Sequence, residues 1–203
     1  FRSGEKYTSV ANTDPTLVDP RRSLLGFDQE AWLYGEMARS KQRGQAWQVL
    51  GQQVMMASLS VDRGAHFENR DQWDGYAPAR ERLFAAAAAR EVRDLVVLTG
   101  DFHSTFANDL SPHPWDGSYD AATRRGVAGV EFVVPGITSP GTEGQEAIDR
   151  TAKLHANAPH LRYVELSRRG YGVLDLTPER VQGEFWHLET VETPSREEHL
   201  RSE

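Results

Sequence analysis

The sequence predicts an α/β fold whose sheets are covered by helices, and three observations carry that expectation. Segments of helical spacing alternate with short apolar runs, as in strand–helix–strand units. One run, Leu95-Val96-Val97-Leu98, is apolar at every position, the pattern of a strand buried on both faces. Three further strand-like runs close the chain, and the turn signals Arg168-Arg169-Gly170 and Thr177-Pro178-Glu179 between them predict antiparallel hairpins.

In chain order, residues 1–27 are polar and broken by Asp14-Pro15 and Asp19-Pro20, which reads as a long loop. Asp28 has the chemistry of an N-cap, and Gln29 to Ser40 follows with Trp32, Leu33 and Met37 at core spacing. Trp47 to Leu50 reads as a buried strand running through Gly51-Gln52-Gln53 into Val54-Met55-Met56. Pro78 suits the first turn of a helix that continues to about Val92 on strong helix formers. The strand Leu95–Leu98 comes next, then a strand over Val127–Val134, a Gly/Ser/Thr/Pro loop to Gly144, and a helix over Glu143–Ala156. The closing strands are Leu161–Leu166, Tyr171–Leu176 and Val181–Leu188. Residues 1–190 read as the C-terminal portion of a single domain, and 191–203 as a charged, frayed tail.

Bulk properties narrow the chemistry. The chain has 203 residues, 38% hydrophobic and 26% charged, a globular rather than a disordered balance. A net charge of −7 without a basic stripe argues against nucleic acid as a partner. With no cysteine, the sequence offers no disulfide, thiolate zinc site or Cys nucleophile. No apolar run approaches the roughly 20 residues that span a bilayer, so no transmembrane segment is expected. Ser104, Ser111 and Ser139 lack a nucleophile-elbow context, which argues against serine hydrolysis.

The segment Gly100-Asp101-Phe102-His103 follows the buried strand directly. In α/β sheets ligands bind beyond the carboxyl ends of strands. If the backbone stays extended there, positions 101 and 103 point to one side, and a carboxylate and an imidazole converge on one metal or on adjacent metals. Such donors suit Fe, Mn, Zn or Co. The alternative is a capped turn with His103 as a surface residue, and spacing alone does not separate the two. Asp71-Gln72-Trp73-Asp74-Gly75-Tyr76 reads either as the wall of a cleft, with Trp73, Asp74 and Tyr76 meeting substrate, or as a loop packed on the core. Arg80 and Arg82 beside it read as a solvated helix face rather than a phosphate site, and Arg168-Arg169 as an exposed hairpin turn rather than an anion site.

Taken together, several stretches resemble the alkaline phosphatase D (PhoD-like) family. They are Leu25 to Leu33, Trp47 to Val54, Asp71 to Tyr76, Val97 to Ser104, Val130 to Pro135 with Thr138 to Gly141, and Arg168 to Thr177, in family order over 25 to about 190. The resemblance implies part of a metallophosphoesterase-like β-sandwich flanked by helices. It also implies hydrolysis of phosphate mono- or diesters by metal-activated water, at a multinuclear site associated with iron and calcium, with Mn or Zn as further candidates. Asp101 and His103 correspond to late metal ligands of the family. The earlier ligands precede Phe1-Arg2-Ser3, so the expected partner is a missing N-terminal portion of the same protein, without which the chain would be inactive. Family members of phospholipase D type make a phospholipid such as phosphatidylcholine the alternative substrate, and a non-catalytic structural module is a further alternative. A secreted or cell-envelope location of bacterial type is implied as well. Where relatives carry Gly-Asn-Gln, this chain has Gly51-Gln52-Gln53.

Overall fold

The computed structural model describes residues 9–202. The elements run β1 (Val10–Ala11), α1 (Phe27–Gln42), β2 (Gln48–Gln52), β3 (His66–Phe67), α2 (Ala77–Ala89), β4 (Leu95–Thr99) and β5 (Thr105–Leu110). They continue with β6 (Gly129–Val133), α3 (Gly144–Asn157), β7 (Leu161–Glu165), β8 (Gly170–Leu176), β9 (Val181–Leu188) and β10 (Glu198–Ser202). Short 3-10 turns lie at Pro15–Val18 and Trp73–Tyr76. Phe1-Arg2-Ser3, before which the earlier ligands are expected, lies outside the described residues.

A five-stranded sheet of order β2-β4-β6-β5-β7 forms the centre. Strands β2, β4 and β6 are parallel, with Gln48 opposite Leu95 and Val96 opposite Val130, whereas β5 runs antiparallel to β6 and β7. One face carries Val97, Phe106, Leu110 and Val133 and packs on Leu33 and Met37 of α1, Leu83 and Phe84 of α2, and the buried run Val54–Leu59. The opposite face meets the three-stranded antiparallel sheet β10-β9-β8, where Phe185 lies edge-on to Phe132 at 6.2 Å and stacks on Tyr163 at 5.6 Å. The α/β fold class is as expected, and β4 has sheet on both flanks and cover on both faces, as its continuous apolar run demands.

Several element-level expectations are corrected. The first helix begins at Phe27 after Gly26, whose φ of 83° only glycine adopts freely, so Asp28 sits in the first turn instead of capping it. Trp32 is 57% exposed, while Leu33 and Met37 face the core. Strand β2 is an edge strand that alternates in burial, with Val49 exposed, because β4 occupies only one of its sides. Strands β7 and β8 do not form a hairpin: they lie in different sheets, and only β8 and β9 pair across their turn. The charged tail is a strand over 198–202, since backbone pairing to β9 requires no apolar side chains. β5 is absent from the sequence reading because Asn108 and Asp109 interrupt its apolar pattern, although both are buried.

Candidate functional site

The carboxyl ends of β2, β4, β6 and β7 and the start of β5 meet at one edge of the central sheet. The loops that leave this edge are tied together. Ser104 Oγ donates to the carbonyl of Leu166 at 3.2 Å, and the Gly170 amide to that of Gly136 at 3.2 Å. Asp101 and His103 lie in the first of these loops, both exposed. His103 Nδ1 is 3.0 Å from the carbonyl oxygen of Pro140. That oxygen can only accept, so Nδ1 is the donor, and in the neutral ring this leaves the lone pair on Nε2, the tautomer a metal-binding imidazole needs.

The backbone does not stay extended through these positions. Asp101 and His103 adopt φ of 65° and 60°, in the left-handed region. Each such residue costs about 1–2 kcal/mol relative to ordinary conformations. Strain of this kind on non-glycine residues concentrates at functional sites. The two side chains are therefore directed by a tight left-handed turn rather than by strand alternation.

Trp73, Asp74 and Tyr76, expected to line a cleft, are each no more than 2% exposed. Asp74 accepts from the Leu59 amide at 2.8 Å and from Arg80 Nη1 at 2.7 Å, and Arg80 also donates to the Met56 carbonyl. Tyr76 lies under the Arg22 guanidinium, 4.6 Å from the ring centroid. The segment packs inward because Asp74 has a buried cation to pair with and the two rings have core to fill, while Tyr76 also borders a surface pocket with Arg22 and Phe27. Arg80 is correspondingly buried, not solvated, and Arg82 grips Glu30 through two bonds of 2.8 Å. Arg169, expected in an exposed turn, has a side chain only 10% exposed and pairs with Glu143 at 2.8 Å.

A buried polar chain lies beneath the loop edge, and the sequence reading missed its centre. Glu131 of β6 is fully buried. Its Oε1 accepts from the Met56 amide at 2.8 Å and from Thr99 Oγ1 at 2.6 Å, and its Oε2 from the Ala57 amide at 2.9 Å and Asn108 Nδ2 at 3.1 Å. Thr99 Oγ1 in turn accepts from Gln52 Nε2 at 2.5 Å, and Gln52 Oε1 accepts from Trp73 Nε1 at 3.0 Å. Burial pushes the Glu131 carboxyl up from its ordinary range, against the opposing pull of these four donors. The available signal was a lone acid within the apolar run Val130–Val134.

As metal donors, Asp101 and His103 fit in type, exposure and tautomer. Among the described residues no group of three or more His, Cys, Asp or Glu side chains is gathered to hold an ion. A metal held by Asp101 and His103 would need further donors. No helix among the described residues is long and apolar enough to cross a membrane.

A family model described as PhoD-like phosphatase matches residues 1–185. The chain is similar to alkaline phosphatase D of Bacillus subtilis (strain 168), with 30% identity over 177 residues, which is 87% of this chain and 28% of that protein. A solved structure titled Structure of PhoD superposes with a TM-score of 0.80 and 27% identity, over 96% of this chain and 35% of that one. The chain spans about a third of the length of these relatives. A match this extensive in sequence and in fold places the chain in the PhoD-like phosphatase family.

Proposed function

We propose that the chain supplies part of a metal-dependent phosphoester hydrolase site, acting on phosphate mono- or diesters through metal-activated water, with Asp101 and His103 as metal donors. The observation that carries this reading is the Asp101–His103 turn itself: two exposed donors in left-handed backbone at the carboxyl end of the enclosed strand β4, with His103 Nδ1, not Nε2, engaged by Pro140. Bound metal would lower the pKa of a coordinated water and neutralise charge developing on the phosphoryl oxygens. The chain's own part is to hold the Asp101 carboxylate and the His103 imidazole in place before substrate arrives, and to keep the proton on Nδ1. Iron and calcium are the candidate metals from family resemblance, with Mn or Zn as further candidates, and export from the cell is the candidate location.

The remaining donors are proposed to come from the rest of a full-length polypeptide, since the chain spans about a third of its relatives. The free side of β2, with Val49 exposed and a groove of about 940 Å³ between β2 and α1, is a place where further structure can add. The test uses the full-length protein. Metal content is measured by elemental analysis, and turnover with a nitrophenyl phosphate monoester, the corresponding diester and phosphatidylcholine. The reading requires that His103→Ala lower both metal content and turnover. Unchanged metal and turnover in that variant would overturn it. Preference for phosphatidylcholine would move the assignment to the phospholipase type, and a metal-free, inactive parent to a structural module.

A further inference from the structure

We infer that Glu131, acting through the Thr99 hydroxyl, is a positioning residue for the Asp101–His103 turn. The inference rests on the metal-donor reading of that turn.

Glu131 sits in the middle of β6, yet its carboxylate reaches three other places at once. It holds the amides of Met56 and Ala57, the side chain of Asn108 on β5, and the last residue of β4, Thr99. Thr99 is joined by Gly100 alone to Asp101. Its hydroxyl donates to Glu131 and accepts from Gln52 at the end of β2, and its carbonyl accepts from the Val134 amide at 2.9 Å. The point at which the chain leaves the sheet is thus fixed from three sides. Immediately after it the backbone enters two left-handed residues within three positions. A strained turn persists only where its surroundings over-determine it, and a buried hydrogen-bond node at its root provides that.

A carboxylate without a buried cation is an expensive means of packing a sheet. Burial at 0% exposure disfavours the charge, and the same volume of Leu or Met would satisfy the core. What an apolar residue cannot do is accept from two consecutive loop amides and a threonine hydroxyl together. The arrangement therefore serves location: it ties segment 56–57, β2, β4 and β5 to one atom pair below the site.

The test compares Thr99→Val, Thr99→Ser, Glu131→Gln and His103→Ala in the full-length protein. Thermal unfolding, metal affinity by competition with a chelator, and kcat and KM on a nitrophenyl phosphate are measured for each. Thr99→Val keeps shape and removes the hydroxyl, while Thr99→Ser keeps the hydroxyl. The inference expects Thr99→Val and Glu131→Gln to unfold cooperatively, with KM little changed and metal affinity and kcat reduced roughly 10–100-fold, the range for residues that orient metal ligands. Thr99→Ser should restore most of both. Wild-type kcat and metal affinity in Thr99→Val would overturn the positioning role, as would equal losses in Thr99→Val and Thr99→Ser. If Glu131→Gln does not fold, the Thr99 pair decides. His103→Ala separates the two levels. If it loses metal while Thr99→Val does not, only the positioning role falls; if it keeps metal and turnover, the metal-donor reading falls and this inference with it.

Discussion

His103 Nδ1 donates to the carbonyl of Pro140 at 3.0 Å, so one backbone oxygen 37 positions away sets which ring nitrogen of the candidate donor is free. Replacing His103 by Ala or by Gly removes the imidazole equally, and both variants should lose metal and turnover. They should differ in stability. With φ of 60° at this position, Gly relieves strain that Ala retains. His103→Gly is therefore expected to be more stable than His103→Ala by about 1 kcal/mol, read from urea unfolding midpoints. Equal midpoints would argue that the turn is not strained.

Asp74 and Arg80 form an ion pair of 2.7 Å with side chains 2% and 6% exposed. Removing one partner leaves an uncompensated buried charge, which costs roughly 3–5 kcal/mol. Asp74→Ala and Arg80→Ala should each destabilise strongly, and the double variant should be less than additive. Additive losses in a double-mutant cycle would show that the two groups act independently.

His160 gives a pH signature. Burial holds its pKa down to about 4, against the bond its Nε2 makes to the Ser58 carbonyl at 2.8 Å, with nearby Arg80 lowering it further. An unfolded histidine titrates near about 6.5, so between roughly pH 6.5 and 4 the unfolded chain binds the extra proton. The stabilisation is complete above the unfolded value and is lost as pH falls through the folded one. His160→Gln should flatten the loss of stability between pH 7 and pH 5, measured as the shift in urea midpoint. An unchanged slope in the variant would assign that acid sensitivity elsewhere.

Gly141 lies where the candidate turn meets the end of β7. A Cβ there would sit 2.7 Å from the Leu166 carbonyl oxygen and 3.1 Å from that of His103. Both neighbours are backbone, so the clash cannot be absorbed by a side-chain rotation. Gly141→Ala should cost about 1–3 kcal/mol, the usual range for overpacking, and should also weaken metal binding if relief of the closer Leu166 clash pushes residue 141 against the His103 carbonyl. A stability loss with normal metal affinity would mean that the 134–143 loop yields and the His103 turn does not.

The α/β class, both long N-terminal helices to within a few residues, the enclosed strand Leu95–Leu98 and the loop after it that holds Asp101 and His103 are legible in the amino-acid order alone. These are local properties. A continuous apolar run, a helical period or a glycine before an acid is visible without knowing what lies across the sheet. The family stretches were equally legible, because they are contiguous. The destination of the polar groups, by contrast, emerges only with the assembled fold. Asp74 turned inward because Arg80 and the Leu59 amide were there to receive it. β5 carried Asn108 and Asp109 into the interior because Glu131, Tyr119 and Arg124 pair with them. The tail became a strand because β9 had an open edge. The reach of Glu131 to Met56 and Thr99 spans 75 and 32 positions. Hydrophobic pattern records which residues avoid water, whereas the partner of a buried polar group depends on chain segments far apart in sequence, and that is settled only when the sheet assembles.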